Sequence, residues 1–124
     1  MTQFIKFSDC HTEAVHNDPS ESTIAGEPKH TAWPHFVGNN GDFRSGVWES
    51  TAGVFRGPMN NQIEFCHIIE GEARIVIGGD DPQTRQEFTV TVGDSFVMDN
   101  GLQPVWHVDR FVKKHFVIAA VTGQ

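Results

Sequence analysis

The sequence predicts a single all-β domain, built as a sandwich or a barrel. From Gly46 to the C-terminus, short apolar segments of about five residues alternate with turn signals, a spacing that is typical of such folds. No segment shows a sustained helical period, and no internal repeat or low-complexity tract is present. The length of 124 residues fits one domain and leaves no room for a second.

The predicted strands follow one another along the chain, and most are closed by a turn signal. EFTVTV is the clearest strand, because alternation places Phe88, Val90 and Val92 on one face and Thr89 and Thr91 on the other. The GGDD sequence before it predicts a hairpin turn, since glycine adopts positive φ without steric cost. The predicted segments, in chain order, are GVWEST, VF, IEFCHII, ARIVI, EFTVTV, SFVM and FVKKHFVIAAV.

Residues 1–44 differ in composition from the rest of the chain. They are polar but carry aromatic residues, which disordered segments rarely contain, so we expect an extended N-terminal arm that lies across the core. Within the arm, TEAVHN predicts a short helical turn. The barrel itself is expected to comprise residues 45–124. The aromatic residues of the arm are Phe4, Phe7, Trp33 and Phe36.

The composition excludes several classes of partner. With 9 Lys+Arg against 16 Asp+Glu the protein is acidic, which argues against binding to nucleic acid or to an anionic membrane. No apolar run approaches the roughly 20 residues of a membrane span, and the N-terminus does not resemble a secretory signal. Cys10 and Cys66 match no zinc or redox spacing. We therefore expect a cytoplasmic protein with free thiols, with one disulfide between them left as the alternative.

The stretch EFCHIIEG brings a carboxylate, a thiol and an imidazole together and raises the question of a metal site. Strand alternation places Glu64, Cys66 and Ile68 on one face and His67 on the other, so Cys66 and His67 cannot share an ion without a bulge. Glu64 and Cys66 do share a face, but hard oxygen and soft sulfur are an unusual pair. Both faces also carry apolar residues and need cover, one from the barrel interior and the other from the arm or a second subunit. We therefore expect a homodimer.

A series of motifs in fixed order links the chain to a known family. The order resembles the cupin superfamily and, within it, the small single-domain cupins of the ureidoglycine aminohydrolase type. The resemblance covers about residues 24–120 and implies an RmlC-like double-stranded β-helix, a jelly-roll barrel preceded by an N-terminal arm. The motifs are Gly46-Val47-Trp48-Glu49, Glu64-Phe65, Gly71, Gly93-Asp94-Ser95-Phe96, Gly101, Trp106-His107-Val108 and Lys114, preceded by Ala25 to Pro28, Thr31 and Trp33.

The same resemblance argues against the usual metal. Cupins usually hold a divalent cation with three histidines and a glutamate, and three of these positions fall here on Pro58, Asn60 and Pro104. Only Glu64 remains as a strong ligand, and one carboxylate does not hold such an ion against water. We therefore expect no metal cofactor, with a divalent metal as the alternative.

Several residues are candidates for the wall of a ligand cavity. The resemblance directs Glu64 into the barrel, and Cys66 follows on the same face, where a small buried apolar role is the simplest interpretation. Lys114 shares the more apolar phase of the last strand, so it is expected to be partly buried, as an ion pair or as a binding group. His67, His107 and His115 are out of phase with the inward positions, and Glu49 and Arg56 are expected at the surface. The full set of cavity candidates is Glu64, Lys114, Trp48, Trp106, Cys66 and Asn60.

These observations predict a small cupin that binds or transforms a small polar metabolite in its barrel, with no catalytic residue assigned. Two alternatives remain open. One is a metal-dependent enzyme, either aminohydrolase-like or another cupin activity. The other is a non-catalytic ligand-binding or regulatory module.

Overall fold

The computed structural model describes residues 2–121, in which eight β-strands pair antiparallel in one continuous sheet. The all-β prediction is confirmed. Two short 3-10 helices, Phe7–Asp9 and Asn39–Gly41, are the helical elements of this range. The strands are β1 (Val15–Asn17), β2 (Thr23–Gly26), β3 (His30–Gly38), β4 (Phe43–Arg56), β5 (Gln62–Ile77), β6 (Gln86–Thr91), β7 (Ser95–Met98) and β8 (Val105–Ala120).

Three long strands form the middle of the sheet, in the order β4, β8, β5. Two shorter strands, β3 and β2, share the outer edge of β4, and two others, β7 and β6, share the outer edge of β5. Side chains from β4, β5, β6, β7 and β8 meet in one buried cluster, so the sheet is curled into a barrel around its core. The jelly-roll barrel expected from the sequence is confirmed.

Two of the long strands continue through residues that the sequence predicts as turns. Gly53 lies inside β4 and Glu70-Gly71 lies inside β5, and the strand register shifts beside both. Gly71 has φ of 73°, and a Cβ at this position would collide with the carbonyl of Phe111 on β8. Glycine is therefore required where the bulge bends β5 across the barrel. The GGDD turn behaves as predicted, since it closes the β5–β6 hairpin and Gly78 has φ of 65°.

The N-terminal arm is only partly as predicted. Residues 15–38 form β1, β2 and β3 of the same sheet, and the predicted boundary at residue 44 falls inside β4. The helical turn predicted in TEAVHN is wrong, because Val15–Asn17 pairs with β3 as a strand. The segment before β1 does lie across the sheet, where the Phe7 ring packs 5.3 Å from that of His115.

The last strand of the sheet order, β6, buries only part of its apolar face. Val90 is buried, but Phe88 is 50% exposed and Val92, beyond the end of β6, is 63% exposed. Among the strands of residues 2–121, β5 alone pairs with β6, so the ends of this edge strand project beyond the core. Within residues 2–121, no helix has both the length and the apolar character needed to cross a membrane.

Candidate functional site

The centre of the barrel holds a buried polar triad of Lys114, Glu64 and Cys66. The Lys114 ammonium donates a hydrogen bond of 2.6 Å to Glu64 Oε2 and a longer one of 3.4 Å to Cys66 Sγ. The Cys66 thiol donates in turn to Glu64 Oε2 at 3.2 Å. The exposed fractions of these residues are 5% for Lys114, 6% for Glu64 and 0% for Cys66. The triad is therefore a buried ion pair with the thiol as its third member.

Strand register explains how residues 50 positions apart come together. On β5, Glu64 and Cys66 point inward, and Lys114 on β8 lies opposite Ile68. The long lysine side chain therefore runs back along the barrel, past Cys66, to reach Glu64. On its other side β4 places Trp48 opposite Lys114. The ammonium lies 4.6 Å from the ring centroid of Trp48 and 4.7 Å from that of Trp106, within the range of cation–π attraction.

The triad fixes the protonation state of its members. Burial alone lowers the pKa of Lys114, but the contacts with Cys66 and Glu64 outweigh burial, and the pKa is raised above its usual value. Burial raises the pKa of the Cys66 thiol to about 12, although the charge of Lys114 opposes this. Cys66 is therefore a thiol at neutral pH, and the anion that holds the ammonium is Glu64. Cys66 and Cys10 are both free, so they form no disulfide.

A cavity of about 330 Å³ lies against the triad. Its walls include Trp48 and Trp106, and Glu64 and Lys114 contribute its buried charges. Arg44 and Arg56, both exposed, are the other charged residues of the lining. Three positive side chains and one negative side chain therefore surround the cavity. The N-terminal segment contributes Asn17, Pro19, Ser22, His30 and Ala32 to the same wall.

His30 is the most unusual member of this wall. Its ring packs edge-on against Trp48 and Phe55, with centroid distances of 4.9 and 4.4 Å. Its Nε2 is buried and, within residues 2–121, has no hydrogen-bond partner. Burial, and then the charge of Lys114, lowers the pKa of His30 to about 4. The cavity therefore carries a neutral imidazole at neutral pH.

Comparison with known proteins assigns the fold family. Residues 37–116 match the family profile of the EutQ-like cupin domain. The chain belongs to this cupin family. No curated protein sequence matches the chain.

Solved cupin structures share the fold at low sequence identity. The EutQ protein of Clostridium difficile superimposes with a TM-score of 0.63 at 16% identity, covering 76% of this chain and 64% of that protein. A protein of unknown function from Pseudomonas syringae pv. tomato gives 0.68 at 24% identity, covering 85% of this chain and 42% of that one. Ectoine synthase from P. lautus gives 0.63 at 16% identity, covering 82% and 71% of the two chains. The chain thus spans less than two thirds of the first two proteins, and these likenesses show the fold alone.

The residues of this cupin do not fit the usual metal centre. Pro58 and Asn60 are exposed and Pro104 is buried, and none of them is a strong metal ligand. The remaining ligand, Glu64, already binds the Lys114 ammonium, whose positive charge would repel a cation. Within residues 2–121, no three His, Cys, Asp or Glu side chains come together as a metal site.

The structure brings together most of the predicted cavity residues. Glu64, Lys114, Trp48 and Trp106 line the cavity, whereas Cys66 lies behind it in the triad. Asn60 was predicted wrongly, because it is exposed in the bend before β5 and takes no part in the wall.

Residues predicted to lie outside the barrel gave a mixed result. His67 and His115 do lie on the outer face, with ring centroids 6.4 Å apart. Arg56 is exposed as predicted, but it also lines the cavity. Glu49 is not fully solvated either, because it is three-quarters buried and pairs with Lys113 at 3.9 Å.

The cavity residues of the N-terminal segment are not among the predicted ones, because the sequence leads us to expect that residues 1–44 cover the outside of the barrel. Six residues of this segment line the cavity: Asn17, Pro19, Ser22, His30, Ala32 and Arg44. The signal that was available is the alternation in HTAW, which directs His30 and Ala32 to one face and Trp33 to the other.

Proposed function

We propose that this small cupin binds a small polar metabolite inside its barrel and does so without a divalent metal. The observation that carries the proposal is the Lys114 ammonium, held by Glu64 at 2.6 Å against a cavity of about 330 Å³. Cavities of this size lie at the lower end of the range known for small-molecule sites, roughly 300 to 1,000 Å³. A buried ion pair contributes little net stability compared with apolar packing, so its presence in the cavity favours a role in binding.

The protonation states favour binding over covalent chemistry. Lys114 is an ammonium and Cys66 is a thiol, so neither is a ready nucleophile. This supports the non-catalytic ligand-binding module as the second candidate function. The motif order supports placing the chain near the ureidoglycine aminohydrolase branch, but the poor ligand set argues against that metal-dependent reaction here.

A ligand screen by thermal unfolding tests this function. A metabolite present at 100 times its Kd should raise the melting temperature of the wild type by about 10 °C. The shift should vanish in the double variant Glu64→Leu/Lys114→Met, which removes both buried charges together. The matched control is Glu49→Gln/Lys113→Met, which removes a neighbouring pair outside the cavity and should retain the shift. If a ligand raises the melting temperature of the double variant as much as that of the wild type, the proposed binding site is refuted.

Elemental analysis of protein purified without an affinity tag tests the metal-free part of the proposal. We expect far less than one equivalent of Mn, Fe, Ni or Zn per chain. Close to one equivalent, lost on Glu64→Gln, would instead support a metal-dependent enzyme. Turnover assays on any ligand found then separate an enzyme from a binding module.

We also propose that the protein is a homodimer in the cytoplasm. On the outer face of the sheet, Phe65 is 41% exposed and its register neighbour Val97 is 61% exposed. Val117 on β8 lies on the other side of Phe65. A contiguous apolar patch of this kind supports association with a second copy of the chain.

A further inference from the structure

We propose that the ligand of this cavity is a small organic anion that also carries an uncharged hydrogen-bonding group, and that His30 binds this second group. This inference rests on the proposed function, since it names the chemistry of the ligand that the barrel takes.

The charge of the cavity wall is opposite to that of the whole protein. The chain has 9 Lys+Arg and 16 Asp+Glu, but the wall holds three of the basic residues and one of the acidic ones. Three positive charges and one negative charge leave the wall at +2, whereas the chain carries −7. A cleft lined by one sign of charge concentrates ligands of the opposite sign. The cavity therefore selects an anion.

The positive groups have capacity left for a ligand. An ammonium carries three hydrogen-bond donors, and within residues 2–121 that of Lys114 meets two acceptors, Glu64 and Cys66. Arg44 and Arg56 make no ion pair in the same range of the chain. A carboxylate that enters the cavity can therefore meet these groups without displacing an existing partner.

His30 supplies a different kind of contact. His30 lines the cavity, and its Nε2 is buried without a partner among residues 2–121, a state that costs folding free energy. A ligand group that pairs with Nε2 removes this cost on binding. Because the imidazole is neutral, it suits a hydroxyl or an amide rather than a second charge. Trp48 and Phe55 pack edge-on against the ring and hold it in the cavity wall.

The apolar part of the wall determines which carbon groups of the ligand can pack in the cavity. Trp48, Phe55 and Trp106 form an aromatic surface in which the Phe55 and Trp106 rings are nearly parallel, with an interplanar angle of 7°. Flat or aliphatic carbon groups pack well on such a surface. Short 2-hydroxy acids combine all three features and serve as probes.

Calorimetric titration with matched acids tests the inference. The probes are lactate, 2-hydroxyhexanoate and mandelate, each compared with the acid that lacks the hydroxyl, and mandelamide as the uncharged counterpart. For at least one pair we expect the hydroxy acid to bind the wild type about fivefold to tenfold more tightly than its partner acid. Mandelamide should bind more weakly than mandelate, and added salt should reduce only the affinity for the acids.

Two variants assign the contacts. His30→Phe keeps an aromatic ring between Trp48 and Phe55 but removes Nε2, so it should fold and lose the preference for the hydroxyl while still binding the acids. The control, His107→Phe, alters a histidine of the outer face and should keep that preference. If His30→Phe does not fold, the exposed pair Arg44→Gln/Arg56→Gln still tests the charge contribution, and it should weaken binding of every acid.

The outcomes separate this inference from the function on which it rests. If none of the hydroxy acids binds, if mandelamide binds as tightly as mandelate, or if His30→Phe keeps the hydroxyl preference, the inference is refuted. A neutral metabolite whose binding depends on Lys114 in the thermal screen would refute the inference and leave the proposed function intact. Failure of all ligands in both experiments would refute both.

Discussion

Replacing Lys114 with methionine should be among the most destabilising single changes in the barrel. The Glu64 carboxylate, 6% exposed in the wild type, would keep one hydrogen-bond partner among residues 2–121, the Cys66 thiol at 3.2 Å. Removing one member of a buried ion pair typically costs about 3 to 5 kcal/mol. Glu64→Leu should cost less, because the ammonium keeps the two indole faces, and a desolvated cation–π contact contributes about 2 kcal/mol.

The double variant Glu64→Leu/Lys114→Met should recover most of this loss. Both charges are then gone together, and apolar side chains of similar volume fill the space, a replacement that is often neutral. We expect the summed losses of the single variants to exceed the loss of the double variant by at least about 2 kcal/mol. Urea unfolding of the four proteins at pH 7 measures this coupling energy.

The neighbouring pair Glu49–Lys113 provides the control cycle. It joins β8 to β4 rather than to β5, through the lysine next to Lys114, but its atoms are 3.9 Å apart and its side chains are 25% and 30% exposed. Coupling there should be below about 1 kcal/mol, because solvent screens the pair. Additive losses at Glu64 and Lys114, within about 0.5 kcal/mol, would show that the two residues do not interact and would refute the buried pair.

Three further predictions concern pH, the strand bulge and the outer face. The pKa of His30 falls from 6.5 to about 4 on folding, so its contribution to the free energy of unfolding should be full above pH 6.5 and decline as the pH falls to 4. Thermal unfolding of His30→Phe should show a smaller decline. We expect the difference to be about 1 to 2 kcal/mol, after allowance for the partial exposure of the ring. Gly71→Ala should destabilise the fold by more than about 1 kcal/mol, because φ is 73° and the new methyl group meets the Phe111 carbonyl. Phe65→Glu should convert a dimer into a monomer in sedimentation experiments without lowering the melting temperature of the isolated chain, since the side chain lies on the outer face.

Each of these predictions has a result that contradicts it. An unchanged pH profile in His30→Phe would mean that the imidazole is already solvated in the folded protein. Wild-type stability of Gly71→Ala would mean that β5 can bend elsewhere. If the wild type sediments as a monomer at micromolar concentration, the proposed homodimer is refuted without any variant.

The inward residues of β5 and β8 were predicted from the alternation of side chains together with the cupin resemblance. The resemblance directed Glu64 inward, alternation added Cys66 on the same face, and the apolar phase of β8 indicated Lys114; all three are buried. Period two is reliable there because each strand keeps its register with its neighbours through these positions. The identity of the partner followed from burial, since two isolated charges inside one small barrel are costly unless they meet.

Other features of the site depend on pairing between distant parts of the chain. His30 enters the cavity because β3 pairs with β4, and nothing local in the sequence specifies that partner. Arg56 looked superficial because it precedes a Gly-Pro turn, yet the loop before β2 pairs with its backbone and closes the wall beside it. In the edge strand β6 the alternation is clear, but it does not tell that the sheet ends before Phe88 is covered.

Because the thiol of Cys66 is buried, a thiol reagent should label the folded protein at one position. Of its two cysteines, Cys66 is 0% exposed, whereas Cys10 is partly exposed just after the Phe7–Asp9 turn. A maleimide dye should therefore attach once per native chain, on the segment that crosses the outer face, without any mutagenesis. A second label can attach only when the barrel opens. The ratio of doubly to singly labelled chains, read by mass spectrometry after a short pulse, would thus count opening events directly.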